Sequence, residues 1–372
     1  MILKTEELKN VSSKILSAVD PDGYSVVTET LSLVVENSTL KLSVTNREYY
    51  VQVRVPVTTD ESFVVEVNAL MFLKLVSQLT TDTVEFTVDD KSLVIKANGT
   101  YKIPIMYDGD GNSVVVPEIT IENRVNSFNI SGEILNSILN YNSKELSKLS
   151  SYSKPVQRFY YVDNEGAITY TTGACVNNFN LEGNVAMLLS QKVVKLFKLF
   201  GESDSVAFTF GADNVDGMLQ NKASFVTNNV TLTTLLQSDD TMLKSVPVSG
   251  IRNRANNQYS YSANINKDNL LQLINRIMIM YSPNMSCYSK FTFDKNKVTV
   301  QGTSEGCSES LFYNNDIVNL DGTYGCTLDL KDLKLTLESC SEPFLTISFG
   351  DSKAIVVSRG HVKNVIPEVQ EV

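Results

Sequence analysis

An internal repeat constrains this chain more than any other feature of its sequence. Six segments read as short amphipathic helices, at 5–19, 68–79, 131–148, 190–201, 266–281 and 329–341. They open on Thr5, Asn68, Ser131, Ser190, Asn266 and Asp329, residue types whose side chains accept hydrogen bonds from first-turn amides. Successive starts lie 63, 63, 59, 76 and 63 residues apart. Between them run alternating Val-, Thr-, Tyr- and Phe-rich strands such as "TLKLSVTNREYYVQVRVP" (39–56), "TVEFTVDDKSLVIKANGTYKIPI" (83–105) and "FLTISFGDSKAIVVS" (344–358). One supersecondary unit is being reused. The units also pair, because a similar hairpin follows every second helix: 40–57, then "ITYTTGACVNNFNLEG" (168–183), then "VTVQGTSEGCSESLFYN" (298–314). The expected fold is α+β, with three similar domains over 1–118, 119–247 and 248–372, each holding two βαβββ units. The joints fall at "GNSVVVPEIT" (111–120) and "KSVPVSGIRNRANNQ" (244–258), and the length of the second accounts for the 76-residue gap.

Several classes of function are disfavoured. No apolar run reaches the roughly 18 residues of a membrane span, and the start "MILKTEELKN" has no signal-peptide core. A cytoplasmic location is expected. The five cysteines (Cys175, Cys287, Cys307, Cys326 and Cys340) form no CxxC pair and are odd in number, so they read as buried, reduced thiols rather than disulfides or a zinc site. His361 is the single histidine, which argues against acid–base catalysis. No phosphate-binding, nucleophile-elbow or zinc-protease motif is present. "DGDGN" (108–112) and "DNVDG" (213–217) lack the spacing and closing glutamate of a calcium loop and read as turns. No catalytic residue, metal or cofactor is expected.

Charge is segregated by element. The chain carries −10, yet the six helices hold twelve basic residues against eight acidic ones and net +4, leaving −14 on the remainder. The helix "SQKVVKLFKLFG" (190–201) has three lysines and no acid. Lys192, Lys195 and Lys198 span an arc of about 120° on a helical wheel. Val193, Val194, Leu196, Phe197 and Phe200 lie opposite, and Leu199 falls among the lysines. One lysine-faced helix is an ordinary solvated surface. Six helices of opposite net charge to the strands describe a basic surface and an acidic one. A curved array of such units closes into a ring with helices inside and sheets outside, suited to holding a phosphate backbone without reading bases.

At this point the sequence resembles the bacterial-type DNA polymerase sliding clamps, the beta subunit of DNA polymerase III. The likeness runs from Met1 to about Val369. It rests on the three-domain period and on local patterns: "LKLSVTNREYYVQVRVP" with the first-domain hairpin, "TTGACV" (171–176) with the Thr-Asp-Gly-His-Arg-Leu segment, "LLQLINRIMIMYSPN" (270–284) with the first helix of the third domain, and "NVIPEVQEV" (364–372) with the hydrophobic tail. The resemblance implies a non-enzymatic processivity factor. As a head-to-tail homodimer it would encircle double-stranded DNA without sequence specificity and tether a DNA polymerase, served by a clamp loader. DNA-facing helix residues would be Lys9, Lys14, Lys74, Lys144, Lys148, Lys192, Lys195, Lys198, Arg276, Lys331 and Lys334. A peptide pocket between domains two and three would involve Val162, Gly173, Cys175, Val176, Pro247, Leu330, Val365, Ile366 and Pro367. The dimer contact would pair Tyr101 and Ile103 with Ile279 and Met280.

There are departures. Ala174 and Cys175 replace the usual His-Arg, Leu330 stands where clamps often have tyrosine, and the tail lacks the arginine–leucine ending and runs on through Val372. The loop "DPDGYS" (20–25), where clamps often hold a basic residue, is acidic. These fit a divergent clamp, of a phage or other mobile element. The alternative is a non-catalytic β-rich structural or interaction protein of a phage that does not encircle DNA.

Overall fold

The computed structural model describes residues 1–20, 25–59, 61–237, 240–282, 286–302, 306–314, 316–350 and 353–369. Most of the acidic loop 20–25 and the tail end 370–372 therefore lie outside the described residues. The element order strand, helix, four strands, helix, three strands recurs three times. The first passage is β1 (Ile2–Lys4), α1 (Thr5–Leu16), the one-turn α2 (Val26–Glu29), β2 (Thr30–Glu36), β3 (Thr39–Thr45), β4 (Tyr49–Pro56), β5 (Phe63–Asn68), α3 (Ala69–Gln78), β6 (Thr83–Val88), β7 (Ser92–Lys96) and β8 (Thr100–Pro104).

The second passage begins with β9 (Arg124–Ser131). Next comes α4 (Gly132–Ser137), which continues through a π-turn (Ile138–Asn142) into α5 (Ser143–Leu146). Then follow β10 (Tyr160–Asp163), β11 (Gly166–Tyr170), β12 (Ala174–Asn178), β13 (Ala186–Leu189), α6 (Gln191–Lys195) with a 3-10 turn (Leu196–Leu199), β14 (Ser205–Val215), β15 (Met218–Val226) and β16 (Val230–Leu235).

The third passage is preceded by two helices that the sequence reading missed, α7 (Asp240–Lys244) and α8 (Val248–Asn256). It then runs through β17 (Tyr261–Asn266), α9 (Lys267–Met278), β18 (Tyr288–Phe293), β19 (Lys297–Gln301), β20 (Ser308–Phe312), β21 (Tyr324–Asp329), α10 (Leu330–Glu338), β22 (Phe344–Phe349), β23 (Ala354–Arg359) and β24 (Val362–Pro367). Each passage is two βαβββ units in series.

The chain packs as two compact units, residues 1–135 with 195–238 and residues 136–194 with 239–372. In the first, an eight-stranded antiparallel sheet runs β5-β2-β3-β4-β16-β15-β14-β9 beside a four-stranded sheet β1-β6-β7-β8. In the second, the same plan gives β13-β10-β11-β12-β24-β23-β22-β17 and β20-β19-β18-β21. Both eight-stranded sheets are two four-stranded halves welded by one antiparallel pair, β4 to β16 (Val51 opposite Leu232) and β12 to β24 (Ala174 opposite Val365).

Helices form where apolar side chains recur at helical spacing against a sheet. In the first unit α1 and α3 pack together, burying Leu8, Ile15, Phe72 and Val76. In the second, α9 and α10 bury Leu270, Ile274, Leu333 and Leu337 over the Phe291, Phe293 and Phe349 rings. No helix is long and apolar enough to cross a membrane among the described residues. Predicted caps act as such at Asn68, Asn266 and Asp329, whose side chains accept from the backbone N–H of Met71 (3.0 Å), Asn269 (2.9 Å) and Lys331 (2.8 Å). Ser131 and Ser190 accept from Ile134 and Val193, both at 3.3 Å. Thr5 is not a cap. Lys4 precedes the helix, and Thr5 is its first residue, its amide donating to the Asp82 carbonyl at 3.0 Å.

The two Asp/Gly-rich stretches are turns. Asp108 accepts from the amides of Asp110 and Asn112, and Asp216 and Gly217 hold φ of 51° and 80° at the tip between β14 and β15. Asp213, near that tip, pins the incoming chain: it accepts from Asn123 N–H at 2.7 Å and from Lys222 Nζ at 2.8 Å, and Lys222 also donates to the Thr120 carbonyl at 2.8 Å. The Lys222 ammonium, followed by these amides, holds the Asp213 carboxyl below the usual range. Removing the carboxylate strands a buried lysine. Asp213→Ala is expected to cost about 3–5 kcal/mol, read by denaturant unfolding. A carboxyl with a depressed folded-state pKa stabilises above its unfolded value near ~4 and loses that contribution as pH falls through the folded one. The gap between wild type and variant is therefore constant above about pH 5 and narrows below it.

Candidate functional site

The second unit contains a cavity of about 290 Å³. Its floor is the β12–β24 weld, contributed by Ala174, Val365 and Pro367. One wall is the β11–β12 turn, Tyr170 to Gly173, and the other is α8 with its approach, through Pro247, Gly250, Ile251 and Arg254. The apolar side of α8 (Val248, Ile251, Ala255) rests on Ile168, Val176, Val356 and Val365. Gly173 is required at the turn, since a Cβ there would lie 2.6 Å from the Val365 carbonyl oxygen.

Buried polar groups fix this turn. Asn142 sits at the end of the π-turn with no exposed surface, and its side-chain amide donates to Thr169 Oγ1 (3.3 Å) and the Cys175 carbonyl (3.2 Å). The widened helical turn places the Asn142 amide against β11 and β12, tying the helix to both strands. Thr171 Oγ1 donates to Glu145, which pairs with Lys148 at 3.0 Å. Lys148 also reaches Asp332 of α10 at 3.9 Å, and Asp332 accepts from Thr172 Oγ1 at 3.2 Å. Two carboxylates and one ammonium thus hold both threonines of the turn. On the far side of α8, Arg252 binds Asp163 (2.5 and 2.9 Å) and Glu165 (2.9 Å).

Of the residues the sequence nominated for the pocket, Gly173, Pro247, Val365 and Pro367 line it. Val162, Cys175, Leu330 and Ile366 do not, because alternation along their strands, and for Leu330 the first turn of α10, turns them into the core, while Val176, on the same face as Ala174, is covered by α8; all five are at 2% exposure or less. Burial pushes the Cys175 thiol up to about 12. Sequence reasoning missed Tyr170, Thr171, Thr172, Ala174, Gly250, Ile251 and Arg254. For α8 a signal existed in the apolar spacing of Val248, Ile251 and Ala255, obscured by Gly250 and the surrounding asparagines.

The nominated basic residues divide. Lys74, Lys144, Lys192, Lys195, Lys198 and Lys331 are exposed, while Lys9 and Lys14 are half-buried. Leu199, read as an exception on the lysine face, is buried, since the last turn tightens to 3-10 and swings it inward. Arg276 has its charge matched by Glu309 (Nε to Oε2, 3.0 Å), and Lys334 lies 3.8 Å from Glu338. Lys148 belongs to the buried network, with 6% of its side chain exposed. Of the nominated dimer residues, Ile279 and Met280 are exposed at the end of α9, with Phe312 exposed on the edge strand β20. Tyr101 is half-buried on the edge strand β8, and Ile103 on that strand faces the core at 2% exposure. Cys175, Cys287, Cys326 and Cys340 are buried free thiols, and Cys307 is half-buried. Among the described residues no group of three His, Cys, Asp or Glu side chains is placed to hold a metal.

No protein-family model and no curated protein matches the sequence. Solved structures do match. A sliding clamp of Pseudomonas aeruginosa bound to griselimycin superposes with a TM-score of 0.81 at 14% identity, covering 100% of this chain and 99% of that one. The Bacillus subtilis DNA polymerase sliding clamp gives 0.78 at 13% identity, with 100% and 99% covered. The Helicobacter pylori beta clamp bound to a DNA ligase peptide gives 0.73 at 16% identity, with 100% and 99% covered. From its first strand to its last, this chain has the fold of the bacterial DNA polymerase III beta sliding clamps.

Proposed function

We propose that this protein is a sliding clamp: a non-enzymatic processivity factor whose ring encircles duplex DNA and tethers a polymerase. The observation that carries the reading is the likeness to solved clamps over the full length of this chain and 99% of theirs. The three passages of strands and helices become three domains, 1–118, 119–247 and 248–372, with helices turned to the DNA. The exposed row of Lys192, Lys195 and Lys198 supports a phosphate-facing surface. A ring holds DNA by topology, so modest, sequence-independent contact is enough. The function is cytoplasmic and needs no cofactor; a clamp loader opens the ring.

The sheet plan supports a homodimer. β8 occupies the place in its passage that β16 and β24 occupy in theirs, and β20 the place of β4 and β12. β16 pairs with β4 and β24 with β12, while β8 and β20 are left as sheet edges. Pairing β8 of one copy with β20 of another repeats the same weld and removes both edges. Ile279, Met280 and Phe312 supply apolar surface beside it. The pocket beside α8 receives short peptide segments of polymerase, loader and repair proteins, as an apolar concavity with few polar groups suits.

Small-angle X-ray scattering is expected to give the mass of two chains and a hollow, ring-like distance distribution; a compact monomer would sink the ring. Ile279→Asp combined with Met280→Lys is expected to halve that mass without lowering the melting temperature by more than a few degrees. Reversing Lys192, Lys195 and Lys198 to glutamate should leave folding intact and shorten the products of a loaded polymerase several-fold, and unchanged product length would remove these lysines from DNA contact.

A further inference from the structure

The helix α8 is held to its unit by few contacts. Its sequence gives it little helix of its own: Val248, Ser249, Gly250, Asn253 and Asn256 are poor helix formers, and no side chain caps its first turn. A helix of nine residues is marginal in water. Ala255 alone is fully buried, with Val248 and Ile251 half-buried on Ile168, Val176, Val356 and Val365. Apolar burial on this scale is thin against the entropy of ordering the segment. Two exposed hydrogen bonds tie its end, from Lys363 Nζ to Asn256 Oδ1 (2.8 Å) and from the Tyr259 hydroxyl to the Arg254 carbonyl (2.9 Å). The middle is clasped by Arg252, whose guanidinium donates to both Asp163 oxygens (2.9 and 2.5 Å) and lies 2.9 Å from Glu165. The pair is sheltered, with 14% of the Arg252 side chain and 9% of the Asp163 side chain exposed, and two-pronged contacts of this kind are the strong ones. Asp163 is itself fixed at the end of β10, where it accepts from the Glu165 amide at 2.9 Å. Burial, then the Asp163 charge, push the Tyr161 phenol up to about 12, so its hydroxyl stays protonated beside that carboxylate.

Resting on the reading of the cavity beside α8 as a peptide site, we infer that the Arg252–Asp163 pair is a clasp that keeps α8 folded on the sheet and thereby sets the rate of peptide capture. Gly250, Ile251 and Arg254 of α8 line the cavity, whereas Arg252 does not. Arg252 is therefore a positioning residue, acting on the peptide only through the helix. Opening of α8 is a local unfolding that removes one wall while the β12–β24 floor stays in place. The apparent affinity then scales with the fraction of molecules in which α8 is closed. Without the clasp the helix keeps too little burial to stay folded, and that fraction falls.

The test uses the full-length protein. Hydrogen exchange followed by mass spectrometry reads α8, and stopped-flow fluorescence reads binding of a labelled hexapeptide bearing two leucines and a phenylalanine. Arg252→Gln and Asp163→Asn are each expected to bring exchange over 248–256 close to that of an exposed loop, while β12 and β24 keep their protection and the melting temperature moves by no more than a few degrees. The same variants should slow peptide association by about fivefold or more and leave dissociation unchanged, because the closed pocket is intact once occupied. The double variant should match either single one, since both remove the same pair. Arg252→Lys should fall between them and wild type, an ammonium keeping the charge without the two-pronged fit. Unchanged exchange over 248–256, loss of protection spread over the whole unit, or faster dissociation with unchanged association each overturns the inference. So does an opened α8 that captures peptide at the wild-type rate. A wild type that binds no peptide overturns the peptide-site reading and the capture step with it, an outcome told apart from the others because exchange is read without peptide.

Discussion

The fold depends on one antiparallel strand pairing, used twice. β4 meets β16 and β12 meets β24, and each contact joins two four-stranded halves from distant parts of the chain into one sheet. An unpaired central strand would expose a row of amides and carbonyls that water must satisfy and that other strands can capture. The weld removes that exposure. It also explains why each compact unit takes its strands from two regions of the sequence rather than one, so that the segment 119–247 is shared between the units. Two of the remaining sheet edges, β8 and β20, have the positions in their passages that the welded strands have in theirs.

The candidate pocket grows directly from one weld. Its floor is the β12–β24 pair, and its turn is tied to the interior by the Asn142 amide and by the Glu145–Lys148–Asp332 set. Groups of this kind are expensive to bury and specify one geometry when every partner is present. They also hold a surface turn still without apolar side chains, which leaves the apolar surface of Ala174, Val365 and Pro367 facing outward. On α8, Arg252 is held by Asp163 and Glu165, while Arg254 makes no ion pair among the described residues.

Local rules were legible at once. Cap residues, alternating strands and the helical spacing of Leu and Ile are set within a few residues of chain, and the π-turn and 3-10 extension altered only how two helices end. The basic character of 190–201 was equally legible, because alternating lysine and apolar positions leave the lysines little choice but to be exposed. Lys148 was not distinguishable in this way. Its role depends on Asp332, far away in the chain, and no local pattern marks a lysine that will be drawn into an ion pair. The pocket was legible only in outline. "TTGACV" and the C-terminal strand were found, but alternation sends Cys175 inward, Val176 lies covered beneath α8, and α8 was hidden because a nine-residue helix containing Val248, Ser249, Gly250, Asn253 and Asn256 has little intrinsic propensity and exists by packing on the sheet.

The sequence by itself determined the repeat, the six helices, the strand-rich α+β class and the separation of basic helices from acidic strands, all of which follow from periodicity and residue type within single units. Tertiary structure decided which strands weld, which lysines stay exposed, and which residues line the cavity. Those outcomes turn on pairings between residues as far apart as Ala174 and Val365 or Lys148 and Asp332, where the free energy belongs to the contact and neither segment alone carries its signal.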